Sequence, residues 1–179
     1  MRQLREFNIA LLGKWCWRML VDRGDFWYRV LAARYGEVAG RLEIGGRSAS
    51  SEGANGGWFG ERVSKVVGDG KNTFFWFDNW VGDVPLCRRF SHLFDLATNK
   101  FVIVADMCDL GWAVGGGAWS WRRRLWTWEE ELLEECMELL ADVLLQDNIL
   151  DRWQWDPGIH DGYTVRGAYQ ILTTPVSST

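Results

Sequence analysis

The sequence lacks the residue patterns by which metal-binding and disulfide-rich proteins are recognised. Its four cysteines, Cys16, Cys87, Cys108 and Cys136, form no Cys-x-x-Cys pair, and it has only two histidines. A zinc site needs three or four converging ligands, so this spacing predicts neither a metal site nor a disulfide framework. We expect free cysteines that pack as small hydrophobic residues in a reducing compartment.

Motifs of nucleophilic and phosphate chemistry are also missing. No Gly-x-Ser-x-Gly signature is present, and the three consecutive glycines at 115–117 lack the Lys-Ser/Thr of a phosphate-binding loop. The carboxylates of residues 129–135 indicate a solvated helix face, and Asp78 is expected to bind nearby backbone N–H groups in a turn. The sequence therefore predicts no catalytic residue and no cofactor.

Long hydrophobic runs are absent too. No stretch approaches the roughly 20 apolar residues of a membrane span, and the apolar residues 9–12 are too few for a signal peptide and are followed by Lys14. We expect no membrane partner and an intracellular location, cytoplasmic or nuclear.

What the chain does have is tryptophan and an uneven charge. It holds 13 Trp against four Tyr, and so many indoles need a large mixed core or a partner surface. Residues 1–35 carry seven Lys/Arg against three Asp/Glu, a net +4, whereas residues 129–161 carry eleven acids against Arg152, a net −10. Such a division favours contact between the two ends or with different external partners.

Hydrophobic spacing predicts an α+β fold that is mainly helical, with one or two small β-hairpins. Apolar residues at helical intervals predict four main helices, at 2–22, 26–35, 127–145 and 165–172, and shorter ones at 58–67 and 89–97. Alternating patterns predict strands at 73–78 and 101–104, and a hairpin that joins 151–155 to 163–165.

These elements suggest a division of the chain into four segments. We expect a helical hairpin over 1–36, a flexible Gly/Ser-rich loop over 37–57, a small α+β region over 58–172 and a frayed tail over 173–179. In the first helix, Leu4, Phe7, Leu11, Leu12, Trp15 and Met19 are expected to form the apolar face. Thr127 is expected to cap the third main helix, with Glu130 completing a capping box.

Two clusters in which basic residues alternate with tryptophans are the main indication of nucleic-acid binding. Such side chains can stack on bases and neutralise phosphates. The alternative is a set of core indoles flanked by arginines that reach solvent. The candidate contact residues are Lys14, Trp15, Trp17, Arg18, Arg122, Arg123 and Arg124.

Several blocks of the sequence resemble plant LINE-type (non-LTR) retrotransposon polyproteins, in the stretch between the reverse-transcriptase palm and the zinc-binding segment. The resemblance covers roughly residues 4–172. The matching blocks include NIALLGKWCWR at 8–18, RYG at 34–36, VGDGK at 67–71, FWFDNW at 75–80, WRR at 121–123, DRWQW at 151–155, GYTV at 162–165 and AY at 168–169.

The resemblance implies a thumb-like or connecting region of a larger enzyme, which would be an RNA-directed DNA polymerase often followed by a ribonuclease H-like domain. The Tyr-x-Asp-Asp turn that would hold two metal ions in the polymerase is absent, and no ribonuclease H carboxylate cluster can be placed. We therefore expect a non-catalytic fragment with weak contact to RNA or RNA–DNA hybrid, or one that packs on a polymerase domain. A protein-interaction module with an exposed Trp patch and a pseudogene product without function are the alternatives.

Overall fold

The computed structural model describes residues 2–35, 37–38, 41–42, 58–113, 115–156 and 162–174. As predicted, the fold is α+β and mainly helical. The α-helices are α1 (Arg2–Val21), α2 (Phe26–Tyr35), α3 (Leu86–Arg89), α4 (Ser91–Leu96), α5 (Val104–Leu110), α6 (Thr127–Leu140) and α7 (Val165–Thr173). The strands are β1 (Glu37–Val38), β2 (Arg41–Leu42), β3 (Val63–Val66) and β4 (Arg152–Trp155), in the two-stranded sheets β1–β2 and β3–β4.

The chain divides into two compact units. Met1–Val63 together with Trp153–Thr179 form one, here called the terminal unit, and Ser64–Arg152 form the other, the central unit. The four predicted segments stay predictions, because 39–40, 43–57, 157–161 and 175–179, where the loop, one turn and the tail were expected, lie outside the described residues.

In the terminal unit, α1 packs on α7 at close range. The hydroxyl of Tyr163, just before α7, donates a hydrogen bond to the Ala10 carbonyl at 2.5 Å. Gly13 lies one turn further along α1, and a Cβ added there would come within 2.3 Å of the same hydroxyl oxygen. Small residues on α1 therefore let the two segments approach, and the rings of Phe59 and Trp155 complete this core.

The face of α1 that packs inside the unit is not the predicted one. The buried or half-buried residues Ala10, Gly13, Trp17 and Leu20 are spaced three or four apart and form one stripe. Five of the six residues expected to form the apolar face are 41–68% exposed. The helix was predicted correctly but its buried side was not, because an apolar stripe does not reveal which neighbour covers it.

The hairpin expected between α1 and α2 is a limited contact. The two helices meet at the edge-to-face pair of Trp15 and Trp27, whose ring centroids are 6.3 Å apart, and at an ion pair of Arg18 with Asp25 at 2.6 Å. The broad contact of α1 is with α7.

The central unit has an aromatic core in which Phe75, Trp76, Leu86, Phe90 and Leu93 are at most 2% exposed. The predicted strand at 73–78 is wrong: Phe74 makes one isolated bridge with Ile103 and the next three residues form a turn. As expected for a turn aspartate, Asp78 accepts a hydrogen bond from the Phe74 N–H at 2.8 Å. In a turn, neighbouring aromatic rings can pack into one core, whereas a strand would point them to opposite faces.

Two charged side chains hold residues 68–73 in place. Asp151 accepts hydrogen bonds from the backbone N–H groups of Gly68 at 2.7 Å, Gly70 at 3.0 Å and Asn72 at 2.9 Å, and from the Thr73 hydroxyl at 2.7 Å. Lys65, 4% exposed, donates to the Asn72 carbonyl and to Asp78. We call Asp151 and its four donors the aspartate clasp. It joins two of the blocks that carried the family resemblance.

Other local predictions need correction. Residues 58–67 contain a 3₁₀ turn (Gly60–Arg62) and β3 rather than a helix. Residues 152–155 form β4 beside β3 instead of a hairpin with 163–165. No strand forms at 101–104, where Ile103 makes the isolated bridge with Phe74 and Val104 begins α5. The helix expected at 89–97 is confirmed as α4, and the short α3 before it was not predicted. The helix at 165–172 is confirmed as α7, with Thr164 accepting the Gly167 N–H.

Candidate nucleic-acid interface

The first predicted cluster lies on the exposed side of α1 and at the start of α2. Trp15, Trp27 and Phe26 are 46%, 50% and 66% exposed, and their rings contact one another in that order. We call these three side chains the aromatic patch. The ring planes meet at 71–88°, an edge-to-face arrangement in which each ring supports its neighbour and keeps part of its surface exposed.

Two cations accompany the aromatic patch. Lys14 is exposed, and Arg18 lies with its guanidinium 5.8 Å from the centre of the Trp15 ring. Arg18 also pairs with Asp25, which cancels part of its charge toward an anion. The aromatic patch therefore has a large exposed ring surface and little net positive charge.

Trp17 does not share this surface. Its indole is half-buried in the terminal-unit core, and a Cβ added to Gly162 would come within 3.0 Å of it. The structure thus brings together Lys14, Trp15 and Arg18 and places the fourth predicted residue of this cluster on the other side of α1.

The second predicted cluster precedes α6 in the central unit. Arg123 makes a two-pronged salt bridge to Glu129, with nitrogen–oxygen distances of 2.8 and 2.7 Å, and its guanidinium lies 4.8 Å from the centre of the Trp126 ring. Arg122 and Arg124 are exposed on either side. We call residues 122–126 the arginine segment.

Glu129 fixes the geometry of the arginine segment. Its carboxylate, only 2% exposed, also accepts the Trp126 N–H at 2.9 Å and so caps α6 one residue earlier than the predicted Thr127–Glu130 pair. The hydrogen bond from Arg123 lowers the pKa of Glu129; burial opposes this change, and the Trp126 N–H supports it. Arg123 is thus a fixed support for the exposed Trp126 ring, which is 61% exposed.

Sequence reasoning did not include Phe26 and Trp27 among the candidate contact residues. The signal for them was an aromatic pair directly after the turn residues Gly24 and Asp25. Trp126 stood in the second cluster of the sequence but not among the candidate contact residues; it lies next to Trp128, which makes an edge contact with His92 at 5.2 Å.

The cysteines behave as expected for small buried groups. Cys136 is fully buried, and burial raises the pKa of its thiol to about 12, so the thiol stays protonated at neutral pH. Cys16, Cys87 and Cys108 are half-buried and form no disulfide. His160 lies outside the described residues.

Among the residues that the structure describes, no group of three or more His, Cys, Asp or Glu side chains converges as it would around a metal ion. None of the helices there has both the length and the apolar character needed to cross a bilayer.

Comparison with known proteins gives one informative similarity. The chain is 30% identical over 191 residues to an Arabidopsis thaliana protein named "Putative ribonuclease H protein", in an alignment that includes 96% of this chain. The chain spans 28% of the length of that relative. No protein-family model matches the chain, and no solved structure matches it.

Proposed function

We propose that this chain is a non-catalytic connecting segment of a non-LTR retroelement polyprotein and that it contacts RNA or RNA–DNA hybrid. The exposed aromatic patch beside Lys14 and Arg18 is the observation that carries this proposal. The similarity to a protein named for ribonuclease H supports a retroelement-type origin, since ribonuclease H acts on the RNA of RNA–DNA hybrids.

The form of the aromatic patch suits nucleic acid. Aromatic side chains can stack on the flat face of any base, and each base–aromatic stack contributes roughly 1–3 kcal/mol. Trp15 and Trp27 each keep about half of their surface accessible. Lys14 adds one exposed cation that can neutralise a phosphate.

The use of the buried carboxylates supports a non-catalytic role. Metal-dependent nucleotide chemistry needs carboxylates that converge on ions. The two buried carboxylates of the described chain, Asp78 and Glu129, instead accept bonds from backbone N–H groups and from Lys65 and Arg123. Asp151 is engaged in the aspartate clasp.

The direct test is binding of a labelled RNA–DNA hybrid measured by fluorescence anisotropy. The wild-type chain should bind at low salt and lose affinity as salt rises, because phosphate contacts release counterions. The Trp15→Ala/Trp27→Ala variant should bind about tenfold or more weakly, as the loss of a stacked base predicts. Phe101→Ala removes a ring of similar exposure (48%) from the central unit and should bind like the wild type.

Two results would contradict the proposal: no hybrid binding by the wild-type chain at low salt, or equal binding by the double-tryptophan variant. Measurable nucleotide incorporation or hybrid cleavage by the pure chain, abolished by changing one of its own carboxylates, would refute the non-catalytic role.

A second candidate is a docking face for another protein domain, such as a polymerase. Leu4 and Leu12 on α1 are 68% and 63% exposed, and leucines offer no ring for a base. This alternative predicts that Leu4→Ser/Leu12→Ser abolishes self-association in sedimentation measurements and leaves hybrid binding unchanged. A chain without cooperative unfolding would instead favour a pseudogene product.

A further inference from the structure

The central unit contains a cavity of about 230 Å³ whose lining includes Trp119 and Trp121, directly before the arginine segment. Its floor is apolar and buried: Trp76, Ala97, Val102 and Met107 are 2–5% exposed. Its mouth is formed by exposed residues, among them Thr98, Asn99 and Ser120. An apolar interior with a polar rim suits a ligand with flat apolar faces and a polar edge.

One wall of this cavity is held rigidly. The indole N–H of Trp119 donates to the Trp112 carbonyl at 2.9 Å, and its ring contacts the edges of Phe75 and Trp76. Trp121 stacks on Trp119 with the ring planes only 9° from parallel. A fixed pair of parallel indoles is a stacking platform that need not reorganise when a planar ligand arrives.

A second part of the cavity lining, Ala97 and Thr98, is joined to that platform by the backbone. Ala97 pairs with Trp121 in an isolated antiparallel bridge, and the Thr98 N–H and hydroxyl both donate to the Ser120 carbonyl, at 3.0 and 3.2 Å. The rim thus presents an exposed amide and hydroxyls, which can both donate and accept hydrogen bonds, as the edge of a base requires.

We propose that this cavity binds one unpaired nucleobase, with Trp119 and Trp121 as its stacking platform and Asn99 at its polar edge. The volume is smaller than the roughly 300–1,000 Å³ of pockets for drug-sized ligands, so it accommodates a single ring system. Arg122 is exposed and follows Trp121 directly, so the chain leaving the cavity carries a cation suited to the attached phosphate. This site is independent of the aromatic patch.

The test is ligand-observed NMR titration of the full chain with AMP, UMP and adenosine. The wild type should bind AMP in the millimolar range or tighter. Ala118→Phe, which adds a ring to the cavity lining, should weaken AMP binding by about tenfold or more. Because a filled cavity can disturb folding, Asn99→Ala at the exposed rim serves as the second variant and should weaken AMP binding several-fold.

Charge controls separate the phosphate contact from the base contact. Arg122→Ala should weaken binding of AMP more than that of adenosine, whereas Lys71→Ala, which removes an exposed lysine of the same unit, should change neither. The proposal is overturned if the wild type binds none of the three ligands, if Ala118→Phe and Asn99→Ala both bind AMP as the wild type does, or if the cavity binds indole or phenol but no base. Loss of base binding with retained hybrid binding would reject this site and leave the proposed function intact.

Discussion

The aromatic core of the central unit and the aromatic patch of the terminal unit differ sharply in how much of their ring surface is exposed. In the central unit, Phe75 and Trp76 are enclosed by other rings, and the aspartate clasp and Lys65 fix the loop beside them. In the terminal unit, small residues of α1 pack on α7, while Trp15, Phe26 and Trp27 remain about half exposed or more. The tryptophans are therefore of two kinds: those that complete a core and those whose rings remain largely exposed.

The largest expected effect separates these two kinds directly. Trp76→Ala should lower the free energy of unfolding by about 3–5 kcal/mol, because it leaves a cavity in a closed core. Trp27→Ala, at a ring that is 50% exposed, should cost below about 1 kcal/mol. Urea unfolding followed by circular dichroism measures both, and similar losses for the two variants would remove the distinction.

The aspartate clasp should make the central unit sensitive to acid. Burial alone would raise the pKa of Asp151, but the hydrogen bonds from Thr73, Gly68, Gly70 and Asn72 together lower it. A carboxylate whose pKa is lowered by folding contributes stability above its unfolded pKa and loses that contribution as the pH falls through its folded pKa.

Asp151→Asn should therefore cost roughly 1–3 kcal/mol at neutral pH, since four donors lose a charged acceptor. The difference from the wild type should begin to shrink below about pH 4, where Asp151 of the unfolded chain becomes protonated, and should disappear below the lowered folded pKa. Urea unfolding of both proteins at neutral pH and below about pH 4 measures this difference, with Asp69→Asn in the same loop as the control. A constant difference across this range would show that the clasp does not depend on the carboxylate charge.

The smallest effect concerns the close packing of the terminal unit. Alanine favours a helix over glycine by up to about 1 kcal/mol, so propensity alone predicts that Gly13→Ala is stabilising. A Cβ at this position would come within 2.3 Å of the Tyr163 hydroxyl oxygen, and overpacking should reverse the sign to a net loss of about 1–2 kcal/mol. Gly24→Ala, at a turn position where the nearest atom is 3.6 Å away, is the control for a glycine replacement without close packing. Stabilisation by Gly13→Ala would mean that α1 and α7 are packed more loosely than described.

Periodicity along the chain was enough to predict the long helices. The ranges of α1, α2 and α7 agree with the predictions within one residue at each end, because each has apolar spacing and a clear terminal signal such as Thr164. The same periodicity gave the wrong core face for α1. Leucine and tryptophan dominate the pattern. The close packing at the α7 end of the chain depends instead on Ala10 and Gly13, because small residues let the Tyr163 ring approach α1.

Short elements and the site depended on contacts that no local pattern contains. Alternation at 73–78 predicted a strand, but Asp78 turns the chain by binding the Phe74 N–H. The aspartate clasp joins residues that are 78 to 83 positions apart. Likewise, the sequence could supply the candidates Lys14, Trp15 and Arg18, but only the fold separates them from Trp17 and adds Trp27 and Phe26.

The distinction between the two kinds of tryptophan is tested most directly by photocrosslinking the pure chain to an RNA–DNA hybrid and mapping the modified peptides by mass spectrometry. We expect crosslinks at Trp15 and Trp27, and none at Trp76, which is 2% exposed. Crosslinks that spare both exposed tryptophans, or that are unchanged when the two are replaced by alanine, would contradict the assignment of the aromatic patch as a nucleic-acid contact.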